Sequence, residues 1–181
     1  MFGKKAHKPS ADPATLAGVT ALIETSAGAM ELEFLPSKAP GHVGNFVELA
    51  EKGFYDGTKF HRAIEGFMIQ GGDPTGQGTG SGPRMIKLEP SQKQHVRGVL
   101  SMARSNDPNS ASCQFFIMHG ANSGLDGKYS AFGEVVTGMD TVDKIATTPK
   151  NRNGNELSSP IQPQVIERAL VVLAPDAPQG K

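Results

Sequence analysis

Phe60-His61-Arg62-Ala63-Ile64-Glu65-Gly66-Phe67-Met68-Ile69-Gln70-Gly71-Gly72-Asp73 contains two short apolar runs around Ala63-Ile64-Glu65-Gly66. Successive side chains of a strand point to opposite faces, so if Phe67 and Ile69 face one side, Met68 and Gln70 face the other. A cation, an aromatic–thioether pair and an amide then lie within a few residues of one another on neighbouring strands. Spacing alone leaves two readings open. Either Arg62 pairs with a surface acid and Phe67 is core, or these side chains together line a site.

Towards the N-terminus, Val19 to Thr25 can form a strand and Ser26-Ala27-Gly28 a turn. Met30, Leu32 and Phe34 then alternate with Glu31 and Glu33, the pattern of a half-buried strand, so the two segments read as a hairpin. Pro40 is placed to open a helix, Val43, Phe46, Val47 and Ala50 recur at helical spacing, and Gly53 stands where the helix would end. Towards the C-terminus, residues 73–83 are dense in Gly and read as loop. Val99–Ala103, Gln114–Met118 and Ala131–Val136 are short β-like runs. Met139 to Ala146 places Val142, Ile145 and Ala146 on one helical face. Asn151 to Pro163 reads as polar loop and Val165 to Leu173 as a final strand. Many short strands with only two helices argue for a closed antiparallel barrel or a sandwich.

The chain has 181 residues, 37% hydrophobic and 20% charged, which suits one soluble globular domain. The expected layout is a flexible tail over 1–16, the domain over 17–174 and a flexible tail over 175–181. Lys+Arg and Asp+Glu both number 18. That balance argues against whole-surface attraction to nucleic acid or an anionic membrane. The lone Cys113 excludes an internal disulfide framework and a multi-cysteine zinc site, and is compatible with a reducing compartment. Ala14 to Ile23 followed by Ala27-Gly28-Ala29 has the outline of a leader and cleavage site. However, Pro9, Asp12 and Pro13 interrupt the approach, and the run doubles as a strand the fold would need, so a cytoplasmic monomer is expected. No run reaches the ~18 apolar residues of a membrane span.

Several motifs lead nowhere. Residues 71–82 are Gly-rich, but no Gly-Lys-Ser/Thr ends them and no G-x-G-x-x-G register opens a helix, so tight turns with positive φ are the simpler reading. His7, His42, His61, His95 and His119 do not pair at zinc-ligand spacing. Cys113 begins an apolar strand, the usual place of a small buried hydrophobe, and no G-x-S-x-G elbow occurs. No metal and no cofactor are expected.

The blocks Phe60-His61-Arg62, Gly66-Phe67-Met68-Ile69-Gln70-Gly71-Gly72-Asp73, Gly98-Val99-Leu100-Ser101-Met102-Ala103, Gln114-Phe115-Phe116-Ile117, Leu125-Asp126-Gly127-Lys128 and Phe132-Gly133 occur in this order. Together they resemble the cyclophilin family of peptidyl-prolyl cis/trans isomerases over about Val19 to Leu173. The resemblance implies a mainly β fold, a closed eight-stranded antiparallel barrel capped by two α-helices. It also implies rotation about Xaa-Pro bonds, with Arg62 as the catalytic guanidinium. By the same resemblance Phe67, Met68, Phe116 and Leu125 match the proline pocket, and Gln70 and Gln114 match amides that contact the peptide backbone. Ala103 and Arg104 match the segment that pairs with bound peptide, and Gly78 matches the loop beside a second pocket. The implied partners are proline-containing peptides and folding proteins. The alternative is a proline-binding or chaperone-like module without catalysis.

Three positions depart from common members. Gly124 stands where eukaryotic members often carry Trp, Tyr129 replaces a groove His, and Arg104-Ser105 replaces Asn-Ala. These resemble bacterial-type members, and the first implies weak binding of cyclosporin-like macrocycles. His61 is expected to face away from the groove, because its neighbour Arg62 must point into it.

Overall fold

The computed structural model describes residues 12–173. A single helical turn, α1 (Pro13–Leu16), is capped by the Asp12 carboxylate and buries Leu16 in the core. The tail expected over 1–16 therefore gives way to packed structure from Pro13 onward. Residues 1–11 and the tail expected over 175–181 lie outside the described residues.

Strands β1 (Thr20–Thr25) and β2 (Gly28–Phe34) form the expected hairpin, with Ala21, Ile23, Met30, Leu32 and Phe34 inward and Glu31 and Glu33 outward. Helix α2 (Pro40–Glu51) follows, its first amides bound by a remote carboxylate: Gly41 and His42 N–H donate to Glu89 at 2.9 and 3.0 Å. It ends where Gly53 adopts φ +69°, a conformation costly for a side chain. Next come β3 (Arg62–Ile64), β4 (Met68–Gly71), β5 (Val99–Met102), β6 (Phe115–Met118), a 3₁₀ turn at Ser123–Leu125, β7 (Ala131–Thr137) and α3 (Met139–Thr147). The chain closes with β8 (Lys150–Asn153), β9 (Glu156–Pro160) and β10 (Ile166–Val172).

Eight strands make one antiparallel sheet in the order β10-β1-β2-β7-β5-β6-β4-β3. The sheet is curled, but no ladder joins its edge strands β10 and β3. One isolated bridge, Lys59 to Val165, and nearby hydrogen bonds such as Phe60 N–H to Gln164 C=O at 2.8 Å tie the edges together. The expected closed barrel is thus corrected to a curled, half-barrel sheet. The stretch read as polar loop is also different: β8 and β9 form a separate two-stranded hairpin that turns at Gly154-Asn155 and packs beside β3.

The concave side holds the main core. There Phe34, Phe46, Tyr55, Phe60, Phe115 and Phe132 make a chain of ring contacts with centroids 4.9–6.4 Å apart, two of them stacked and the rest tilted or edge-on. A second, smaller cluster lies on the opposite face of the same strands. It comprises Met68, Val99, Phe116, Met118 and Ala131, with Phe67, Ala103, Leu125 and Tyr129 packed on it. Strands buried on both faces lose polar alternation, which is why β5 and β6 read as continuous apolar runs.

Candidate active site

The site grows from one row across the outer face. Antiparallel register sets Arg62 of β3 opposite Gln70 of β4, Gln70 opposite Phe116 of β6, and Phe116 opposite Ser101 of β5. Directly opposed residues share a face, so a guanidinium, an amide and an aromatic ring are brought side by side. Met68 and Phe116 floor a pocket of about 280 Å³ whose walls include Phe67, Leu125 and Tyr129, with Arg62 at its side. The Arg62 Cζ lies 6.0 Å from the Phe67 ring centroid.

Arg62 is held from outside the sheet. Its Nε and Nη2 donate to the two carboxylate oxygens of Glu156 at 2.7 and 2.6 Å, a bidentate pair. Hydrogen bonding to Glu156 raises the guanidinium pKa further above its ordinary value, and the same contact lowers that of Glu156. Arg62 thus both pairs with an acid and lines the site, whereas Phe67 is half-buried on the outer cluster and lines the pocket instead of joining the core. On its other side Nη1 reaches Gln70 Oε1 at 3.4 Å. Gln70 Nε2 donates to Gln114 Oε1 at 3.1 Å, and Gln114 Nε2 donates to the carbonyls of Gly78 and Gly80 at 3.1 and 2.8 Å. Gln114 spends both of its N–H groups on this relay.

The relay ends on the Gly-rich loop, and the loop is wound around Asp73. This fully buried carboxylate accepts from the amides of Thr75, Gln77 and Gly78 and from the Thr75 hydroxyl. Burial opposes its ionisation, but these donors outweigh burial and hold its pKa down to about 2. Gly78 has φ +87°, and a Cβ there would lie 3.3 Å from His61 Nε2. That close approach corrects the expectation for His61: the ring does not face away but lines the same pocket as Arg62. Burial lowers its pKa below 6.5, so it is neutral at physiological pH.

A second pocket of about 290 Å³ adjoins the first and is lined by Gly78, Gly80, Met85, Ala103, Arg104 and Gln114, among others. Every residue expected at the site therefore borders one pocket or both. Sequence reading missed His61, Gln77 and Asn153 on the first pocket, and it missed Glu156, the carboxylate that pairs with Arg62. Glu156 carried no signal, since it sits in a polar stretch 94 positions from its partner. Cys113 is buried and unpaired, with burial first and the Asp73 charge second raising its thiol to about 11, which leaves no reactive thiolate. Among the described residues no group of three His, Cys, Asp or Glu side chains could hold a metal ion, and no helix is long and apolar enough to cross a membrane. Gly124 lies on the exposed 3₁₀ turn that carries Leu125.

A curled antiparallel sheet whose outer face carries a pocket floored by Met68 and Phe116, a clamped guanidinium and an adjoining second pocket defines the class of architecture. Comparison with known proteins gives the class a family. The profile described as "Cyclophilin type peptidyl-prolyl cis-trans isomerase/CLD" matches residues 20–171, and the chain belongs to that family. It is 40% identical over 139 residues to a peptidyl-prolyl cis-trans isomerase of Synechococcus elongatus, covering 77% of this chain and 92% of that one. It is 40% identical over 163 residues to peptidyl-prolyl cis-trans isomerase A of Dickeya dadantii, covering 83% of each. A solved cyclophilin-type isomerase of Cryptosporidium parvum, determined in the presence of the dipeptide Ala-Pro, superposes with a TM-score of 0.79 at 32% identity. That match covers 86% of this chain and 99% of the other.

Proposed function

We propose that this chain accelerates cis/trans rotation about Xaa-Pro bonds in folding polypeptides, with Arg62 as the catalytic residue. Amide resonance sets a barrier of ~18–20 kcal/mol. Twisting breaks conjugation, and the prolyl nitrogen regains a lone pair that can accept a hydrogen bond. Arg62 has five N–H groups. Glu156 takes two and Gln70 a third, so each terminal nitrogen keeps one N–H for the substrate. A donor that bonds the twisted nitrogen better than the planar one lowers the barrier. Met68, Phe67, Phe116 and Leu125 hold the pyrrolidine ring while the preceding residue swings. Gln70 orients Arg62, and Gln114 and Ala103 line the path of the backbone. No proton moves and no covalent bond forms.

The reading rests on one observation, the clamped guanidinium at the side of a pocket whose lining includes Phe67, Met68, Phe116 and Leu125. Family membership and the dipeptide used with the Cryptosporidium relative support the substrate class. The proposed setting is the cytoplasm, consistent with an unpaired thiol, and the proposed form is a monomer. Cyclosporin-like macrocycles bind weakly on this reading, because Gly124 offers neither indole N–H nor apolar area. The test is an isomerisation assay on short Ala-Xaa-Pro peptides. Acceleration at catalytic protein concentration supports the enzyme. Peptide binding without acceleration would instead establish the non-catalytic proline-binding module.

A further inference from the structure

The groove carries two guanidinium groups, and only one has an ionic partner. Arg62 is neutralised by Glu156. Arg104 makes no ion pair among the described residues. It is held by neutral groups: Nε and Nη2 donate to the Lys128 carbonyl at 3.0 and 2.7 Å, and Nη1 donates to the Ser105 carbonyl at 2.8 Å. Its Cζ lies 4.6 Å from the centroid of the Tyr129 ring, a cation–π distance. The nearest acid along the chain, Asp107, uses a carboxylate oxygen to accept from Asn109 N–H.

Three of the five N–H groups of Arg104 are spent in this way, leaving one on each terminal nitrogen. Because the side chain is already immobilised, little rotamer entropy remains to be lost when a ligand binds it. Arg104 also lines both pockets. Gln70, Gly78 and Ala103 also border both pockets, and Arg104 is the one cation among these four, so a peptide that fills the first pocket with proline and the second with another side chain passes beside it.

We propose that Arg104 is a specificity-determining residue that selects proline segments carrying a carboxylate side chain, Asp or Glu, on a residue next to or one removed from the proline. This rests on the isomerase reading of the groove but is read out separately from it. An exposed charge-assisted contact of this kind gives a preference of about tenfold, and one that fades with salt.

The experiment uses the full chain and five-residue peptides with Glu, Gln or Lys placed in turn at each of the two positions before and the two positions after a central proline. Both Kd, by calorimetry, and kcat/KM are measured at low and at high salt. The expected result is a Glu-over-Lys preference of about tenfold at one position, reversed in Arg104→Glu, lost in Arg104→Gln and reduced by salt. Equal values for Glu and Lys at every position, or a preference that survives Arg104→Glu, would overturn the proposal. If no peptide is isomerised, the isomerase reading fails, and the Kd ratios still decide the role of Arg104.

Discussion

Phe115 and Phe116 are consecutive residues of one strand, yet they belong to different regions with different physics. Phe115 points into the concave core and touches Phe46, Tyr55 and Phe60. Phe116 points outward to floor the pocket, with His95 stacked 6.1 Å behind it and Tyr129 edge-on at 5.8 Å. Behind Phe115 the packing is apolar. Around Phe116 the same sheet carries hydrogen-bonded polar groups: the Arg62–Gln70–Gln114 relay on one side, and Ser101–His95–Asp126 on the other. One face supplies stability without chemistry. The other uses that rigid support to hold polar side chains in place beside an apolar pocket.

The division is open to direct attack. Phe115→Ala should cost about 3–5 kcal/mol of stability by urea denaturation, with the KM of the remaining folded protein little changed. A large rise in KM would show that the two faces are not separable. Next in size, Glu156→Ala should lower kcat about tenfold, near 1.4 kcal/mol, with KM held, because it frees the guanidinium without touching the pocket. Glu156→Gln, which keeps one acceptor, should lose less. A rise in kcat for either variant would mean that Glu156 restrains Arg62 rather than positions it.

The smallest expected effect concerns His61. Its folded pKa lies below 6.5, so it is neutral above that pH, and Arg62 does not titrate. The pH profile of kcat/KM should be flat from about 6.5 to 8.5 and fall only at lower pH, where a second cation forms beside Arg62. His61→Gln should remove that acid limb. The sign for stability follows the same way. The unfolded chain takes up the proton near 6.5 and the folded chain at lower pH, so the His61 contribution is whole above 6.5 and is lost as pH falls below it. A step in activity centred above pH 7 that His61→Gln abolishes would contradict this account.

The inner face was legible in the sequence and much of the outer one was not. Met30, Leu32 and Phe34 alternate with Glu31 and Glu33 because that hairpin is wet on one side. β5 and β6 were legible as strands, but burial on both sides erased the contrast that would tell Phe115 from Phe116. Only the family resemblance assigned the second to a pocket. The hairpin β8–β9 went unseen because most of its side chains are exposed, so nothing in its pattern distinguishes strand from loop. With it went Glu156, whose pairing with Arg62 depends on how the two hairpins pack. Asp73 was visible as the end of a motif, but its role as the anchor of the Gly-rich loop needed the backbone amides that converge on it.

The central claim is that Arg62 lowers the barrier while the fold is carried by the two buried clusters and not by Arg62. The most direct measurement is kcat/KM for Ala-Xaa-Pro peptides in wild type and Arg62→Ala, beside the urea midpoint of each. The expected result is a loss of at least roughly a hundredfold in kcat/KM, about 2.7 kcal/mol, with a midpoint close to wild type. Near-normal activity in a folded Arg62→Ala protein would contradict it.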